Sequence, residues 1–183
     1  MGAEEKPVRF FRASIIRHGM EGKEMEAMGF RNEELVDALA CEGCFNGKWG
    51  KGTSLDPMML LMLYKMARVT ADWPLDKKAE EKQLLPRTYS YGWLALAQEF
   101  GMTLPDSVDE IEVIGNKPRT PVKERKAVER LSKTARKLID AGLIKCLRKG
   151  SAQKRNNAVW LLTIGTPEEN AGVEAYVRSK LRL

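Results

Sequence analysis

The stretch from residue 122 to residue 141 constrains this chain most, because its apolar residues recur at the spacing of a helix. Four of them are three or four positions apart and so share one helical face: Val128, Leu131, Ala135 and Leu138. A second series at the same spacing is basic: Lys126, Arg130, Lys133 and Lys137. The sequence therefore predicts a helix with one buried face and one exposed, cationic face.

This helix lies in the most basic part of the chain, residues 117 to 155. The segment holds fourteen basic and three acidic residues, so it carries a net charge of +11, whereas the whole chain carries +6. The remaining residues together carry −5, so the basic charge is concentrated. Three acidic residues are too few to neutralise fourteen basic ones, and a concentrated basic surface is typical of phosphate or nucleic-acid binding.

The elements around the basic helix follow from caps and apolar runs. A cap and a proline at residues 54–57 predict a buried, methionine-rich helix at 58–69, and Ser90 is expected to cap a helix at 91–100. After the basic helix, apolar runs at 143–147 and 159–164 predict a β-hairpin with a polar, basic tip.

The two ends of the chain read as additions to this central part. Asn32 is expected to cap a short first helix, and four glycines between residues 41 and 52 favour a flexible loop. A capping box at 166–169 predicts an amphipathic last helix. We therefore divide the chain into an N-terminal extension (1–53), a central domain (54–165) and a C-terminal helix (166–183).

The order helix, helix, basic helix, two-stranded hairpin resembles a winged helix-turn-helix domain. The phrase Ala141-Gly142-Leu143-Ile144 strengthens the match, since it is similar to the turn between recognition helix and first wing strand in many bacterial regulators. The resemblance covers about residues 54–165 and implies a mainly α fold with a small β-hairpin wing (α+β). An acidic connection at 103–121 replaces the short turn usual between the last two helices, and is treated as an insertion.

The resemblance implies that the basic helix enters the major groove of double-stranded DNA, which is about 12 Å wide. Arg130 and Lys133 could then donate to guanine, and Glu129 could accept from cytosine. Arg136 and Lys137 would contact phosphates, which position the protein without specifying a sequence. Arg125 and Lys126 complete the leading face of the helix.

The hairpin and the preceding helix supply the remaining candidate contacts. Wing residues 148–157 would reach the minor groove or backbone through Lys154 or Arg155, flanked by Arg148 and Lys149. Ser90 and Tyr91 are expected to add phosphate contacts at the start of their helix. The candidate DNA-binding set is thus Ser90, Tyr91, Arg125, Lys126, Glu129, Arg130, Lys133, Arg136, Lys137, Arg148, Lys149, Lys154 and Arg155.

The expected function is transcription regulation through double-stranded DNA. Replication initiation or partition of a plasmid, phage or mobile element is an alternative on the same fold. A protein-interaction module that uses a winged-helix surface is an alternative of another class. The apolar stripe of the last helix either folds back as a cap or pairs with a second copy, which would give a homodimer.

Other chemistry has weaker support in the sequence. Cys41 and Cys44 have zinc-knuckle spacing but lack two further nearby ligands. The segment 45–54 fails as a phosphate loop because Gly52 follows Lys51 where serine or threonine is needed. We expect no enzyme activity, cofactor or metal. A polar N-terminus, an odd number of cysteines and short apolar runs favour a cytoplasmic protein without membrane contact.

Overall fold

The computed structural model describes residues 29–49, 51–105, 112–114, 117–119, 121–151 and 156–183. These residues form a mixed α+β fold of helices and small antiparallel sheets. The first 28 residues of the predicted N-terminal extension lie outside the described residues. None of the described helices combines the length and the apolar character needed to cross a membrane.

The chain begins with two packed helices joined by a hairpin. Helix α1 (Phe30–Cys41) leads into strands β1 (Asn46–Trp49) and β2 (Gly52–Leu55), and helix α2 (Pro57–Arg68) follows. The glycine-rich segment is therefore not a flexible loop, because its two halves pair in four-residue antiparallel register. The proposed boundary at residue 53 falls inside β2.

Asn32 does not cap α1, contrary to the sequence prediction. The helix begins one residue after Gly29, which has a φ of 84°. The Asn32 side chain is instead buried, where its amide donates to Thr70 Oγ1 at 3.2 Å and to the carbonyl of Ala71 at 3.1 Å. The sequence predicts a local cap at Asn32, whereas its side chain contacts residues about forty positions away along the chain.

Helix α2 is the central helix that the sequence predicted. Asp56 caps it, and Met59, Met62 and Met66 are buried in the main core. A short helix, α3 (Lys77–Glu81), follows, and then strand β3 (Thr88–Tyr89). Helix α4 spans Trp93–Glu99 and is two residues shorter at its start than predicted, because Gly92 and not Ser90 occupies its N-cap position.

The basic helix is α5 (Pro121–Asp140), and it runs into strands β6 (Ile144–Arg148) and β7 (Val159–Leu162). These strands pair as the predicted hairpin, and β3 joins them in the order β3-β7-β6. Within the predicted insertion, β4 (Glu112–Ile114) and β5 (Lys117–Arg119) form a separate antiparallel pair. Residues 106–111, 115, 116 and 120 of that insertion lie outside the described part.

The three-stranded sheet separates two apolar clusters. One face, with Ile144 and Leu162, packs on the main core that α1, α2, α4 and α5 build. The other face, with Leu147 and Leu161, packs on helix α6 (Pro167–Leu181). Of the two arrangements predicted for the apolar stripe of α6, the structure shows the one that folds back on the same chain. Val173 and Val177 are buried against its sheet. Thr166 caps α6 as predicted, accepting from the Glu169 amide at 3.2 Å.

Candidate nucleic-acid interface

Helix α5 has the two faces that its sequence spacing predicts. Its inward face packs against α2, α4 and the start of β6, and consists of Ala127, Leu131, Thr134, Ala135 and Leu138. The predicted stripe is therefore confirmed at three of its four positions, and Val128 lies half-buried at the edge. Burial of this face fixes which side of the helix points to solvent.

The opposite face of α5 is exposed and strongly basic. All seven candidate residues of this helix are exposed: Arg125, Lys126, Glu129, Arg130, Lys133, Arg136 and Lys137. Six of them are cations and one is a carboxylate. None of the ion pairs formed among the described residues includes Arg125, Lys126, Arg130 or Arg136. These four cations are therefore presented to solvent without a bound carboxylate from the described part of the chain.

Glu129 and Lys133 are engaged with each other. The Lys133 ammonium lies 2.9 Å from a Glu129 carboxylate oxygen, one turn apart on the helix. The hydrogen bond and the charge of Lys133 lower the pKa of Glu129 below its ordinary value. A base contact by either side chain would replace this pair, which is exposed and therefore costs little to separate.

Two lysines of the basic segment find carboxylates that lie outside it. Lys137 Nζ lies 2.7 Å from Asp56 Oδ2, and Lys145 Nζ lies 2.8 Å from Glu174 Oε1. The expectation that the fourteen basic residues lack neutralising partners is therefore wrong for these two. The fold brings them beside acidic residues 81 and 29 positions away along the chain.

Asp56 links the start of α2 to the end of α5. Its Oδ1 accepts from the amides of Met58 and Met59 at 3.0 and 3.2 Å, while its Oδ2 takes Lys137. Partial burial would raise the pKa of Asp56, but the hydrogen bonds from Lys137 and these amides outweigh it, so the pKa is lowered. Asp56 is thus an ionised cap that holds one proposed phosphate contact, Lys137, in the free protein.

The two sides of the wing are described as far as Ser151 and Asn156. Arg148 and Lys149 are exposed at the end of β6, and Ser151 and Asn156 bridge the two sides through backbone hydrogen bonds of 3.0 and 3.2 Å. Residues 152–155, which include the predicted contacts Lys154 and Arg155, lie outside the described residues. The described part of the wing therefore contributes Arg148 and Lys149.

Ser90 and Tyr91 lie beside the wing and not on α5. Both are exposed between β3 and α4, and the Tyr91 ring lies 5.7 Å from that of buried Tyr89. Tyr89 donates its hydroxyl hydrogen bond to the Gly92 carbonyl at 3.0 Å. A Cβ on Gly92 would lie 3.1 Å from the Asn157 side chain, so this turn abuts the strand that returns from the wing tip.

Comparisons with protein-family models, curated proteins and solved structures gave no match for this chain. The function is therefore argued from the geometry of α5 and the wing alone.

The described residues hold no cluster of three or more histidine, cysteine or carboxylate side chains arranged to bind a metal. Cys41 and Cys146 are exposed, Cys44 is half-buried, and all three are free thiols. Among the described residues, the basic surface of α5 is therefore the candidate functional site.

Proposed function

We propose that this protein binds double-stranded DNA as a winged-helix protein and acts in transcription regulation. Three features support the proposal. Helices α2, α4 and α5 precede the β6–β7 hairpin in the order of that fold. The helix before the hairpin is the basic one. The sheet that carries the hairpin packs on the same core as the three helices, so wing and helix have a fixed relation.

The exposed face of α5 carries the proposal. Four cations without described carboxylate partners lie on one side of a twenty-residue helix whose other side is buried. A helix face that served only solubility would be stabilised by balanced i, i+4 ion pairs. Glu129–Lys133 is such a pair on this face, but the cations of the face outnumber its carboxylates. The remaining cations have the density and the exposure that a polyanion requires.

The roles follow from groove geometry. Arg130 and Lys133 are proposed to donate to guanine edges, with Glu129 accepting from cytosine. Arg125, Lys126, Arg136 and Lys137 would hold the phosphates on both sides of the groove, as would Arg148 and Lys149 of the wing. Since the α6 stripe is covered by the sheet, a dimer on a near-palindromic site would have to use another surface.

A titration of the full chain against random duplex DNA, single-stranded DNA and RNA tests the proposal. At two salt concentrations we expect duplex to bind most tightly, with an affinity that falls steeply as salt rises. Absence of duplex binding at low salt, or equal binding of all three polymers, would contradict it. A protein-interaction module would show the first of these results.

Selection of bound fragments from a random duplex pool then separates the two proposed roles. Enrichment of a single operator-like site supports regulation. Enrichment of iterated repeats supports replication initiation or partition instead. Either result supplies the target duplex against which interface variants can be measured.

Asp56→Asn is expected to raise the affinity for duplex DNA several-fold at low salt. Asparagine is as good an N-cap as aspartate, so α2 is retained. Loss of the carboxylate leaves Lys137 without this competing anion, so its phosphate contact strengthens and the salt slope should steepen by up to about 0.9. Fluorescence anisotropy at several salt concentrations measures both quantities.

Glu174→Gln is the matched control, because it releases Lys145, on the α6 side of the sheet, and Arg178 of α6. We expect no gain in affinity from this variant. The gain should also vanish in the Asp56→Asn/Lys137→Ala double variant. A gain that persists in the double variant would show that Lys137 is not the residue released.

A further inference from the structure

The β1–β2 hairpin is a second exposed basic element, and it is not part of the interface proposed for α5 and the wing. Residues 43 to 55 contain two lysines and no acidic residue. Lys48 and Lys51 are both exposed, and neither belongs to an ion pair formed among the described residues. The hairpin therefore presents two cations on a short projecting structure.

The base of this hairpin is firmly attached to the core. Phe45 is fully buried in the main cluster, and its carbonyl accepts from the Asp56 amide at 2.9 Å. Between these residues the strands pair from Asn46–Leu55 to Trp49–Gly52. Strand pairing on a buried anchor gives Lys48, and Lys51 directly before β2, a defined position relative to the core.

Asp56 places the hairpin beside the basic face of α5. It directly follows β2, and its carboxylate holds Lys137 at 2.7 Å. Lys137 belongs to the exposed series of α5 in which residues are three or four positions apart, together with Lys126, Arg130 and Lys133. The hairpin base therefore adjoins one edge of the surface proposed to face the DNA.

Two glycines of the hairpin are not required by packing. A Cβ on Gly52 would meet no atom within 4 Å, and one on Gly47 would only touch the Asp56 Cβ at 4.0 Å. Glycine weakens a strand, so its presence without a steric reason needs another explanation. Glycine within a strand often marks a site where a ligand approaches the backbone closely.

We propose that the β1–β2 hairpin is a second arm that contacts the phosphate backbone of duplex DNA next to the groove entered by α5. Lys48 and Lys51 supply the ammonium groups, and the glycines leave the strand thin enough for close approach. The inference rests on the proposed function and names an additional contact surface for it. Such contacts set register and orientation but carry no base specificity.

The Lys48→Ala/Lys51→Ala double variant tests this arm. We expect the slope of log affinity against log salt to become shallower by about 2, with similar losses for selected and random duplex. Lys77→Ala/Lys78→Ala is the matched control, because it removes two exposed lysines from α3. The control should bind as the wild type does, and both variants should unfold at the wild-type urea midpoint.

Gly52→Val supplies a readout that is independent of charge. Valine favours strands and has open space here, so the unfolding midpoint should stay the same or rise, while duplex affinity falls. If the wild type binds duplex and the hairpin variants match the α3 control, this inference is overturned and the proposed function stands. If the wild type does not bind duplex, the proposed function itself fails.

Discussion

Replacement of Arg87 by methionine is expected to lower the free energy of unfolding by about 2–3 kcal/mol, because it removes a fully buried charged donor from three side-chain acceptors. The Arg87 side chain is 0% exposed and donates from all three nitrogens. Its partners are Asn32 Oδ1 at 3.2 Å, Asn170 Oδ1 at 3.3 Å and Glu169 Oε2 at 3.2 Å. Methionine fills a similar volume but leaves these three acceptors without that donor.

Arg87 joins three parts of the fold that are distant in sequence. Asn32 belongs to α1, Glu169 and Asn170 open α6, and Arg87 itself precedes β3. Its backbone also participates, since its amide donates to the Ala71 carbonyl and its carbonyl accepts from the Leu162 amide, both at 2.8 Å. The residue adopts a φ of 49°, which costs a non-glycine residue on the order of 1 kcal/mol or more. These contacts hold it there.

Arg31 provides the control on the same carboxylate. It contacts the other oxygen of Glu169 at 3.1 Å but is 51% exposed, so Arg31→Met should cost less than about 1 kcal/mol. Urea denaturation of both variants measures the difference. A Glu169→Gln substitution added to Arg87→Met should recover part of the loss, because a half-buried carboxylate that retains only the exposed Arg31 as its ion-pair partner among the described residues is then removed. Equal costs for Arg31→Met and Arg87→Met would contradict the buried-pair explanation.

Arg130→Ala is expected to weaken binding to the selected duplex by about 1–3 kcal/mol, or roughly 5- to 150-fold, and to reduce discrimination against random duplex. The residue is exposed in the middle of α5, and none of the described ion pairs includes it. Nothing in the described structure holds it away from a base edge. Competition binding against both duplexes gives the affinity and the ratio.

Arg136→Ala on the same helix is the comparison for a phosphate contact. It should weaken binding to the selected and to the random duplex to the same extent. It should also make the slope of log affinity against log salt shallower by about 1. Lys133→Ala should resemble Arg130→Ala, with the added effect that Glu129 is left unpaired at the surface. Uniform losses from all three variants would show that α5 holds the backbone and does not read bases.

The local sequence pattern was sufficient to predict the helices that bury an apolar face. The spacing of Leu131, Ala135 and Leu138 predicted the buried face of α5, and the boundaries 122–141 differ from the observed helix by one residue at each end. The Thr166 cap and the β6–β7 hairpin were predicted for the same reason. In each case the signal lies within a few neighbouring residues, where turn chemistry and periodicity act.

The errors share a different cause. Asn32 and Ser90 have good capping side chains, but a glycine with a positive φ occupies each cap position. The glycine-rich stretch was interpreted as a loop, although Gly50-Lys51 between two short strands is a sequence typical of a two-residue hairpin turn. The burial of Arg87 has no local sequence signal, because an isolated arginine belongs to no periodic pattern.

The sequence by itself determined that one helix would bury an apolar stripe and expose a cationic one, because periodicity and charge are local properties. It also placed the hairpin that follows. Only the tertiary structure decided which basic residues of segment 117–155 remain available, since Asp56 and Glu174 reach Lys137 and Lys145 from distant positions. It also decided that Asp56, at the base of the β1–β2 hairpin, lies beside the end of the basic helix and that Arg87 is buried. Those facts depend on contacts across the chain, which local spacing does not encode.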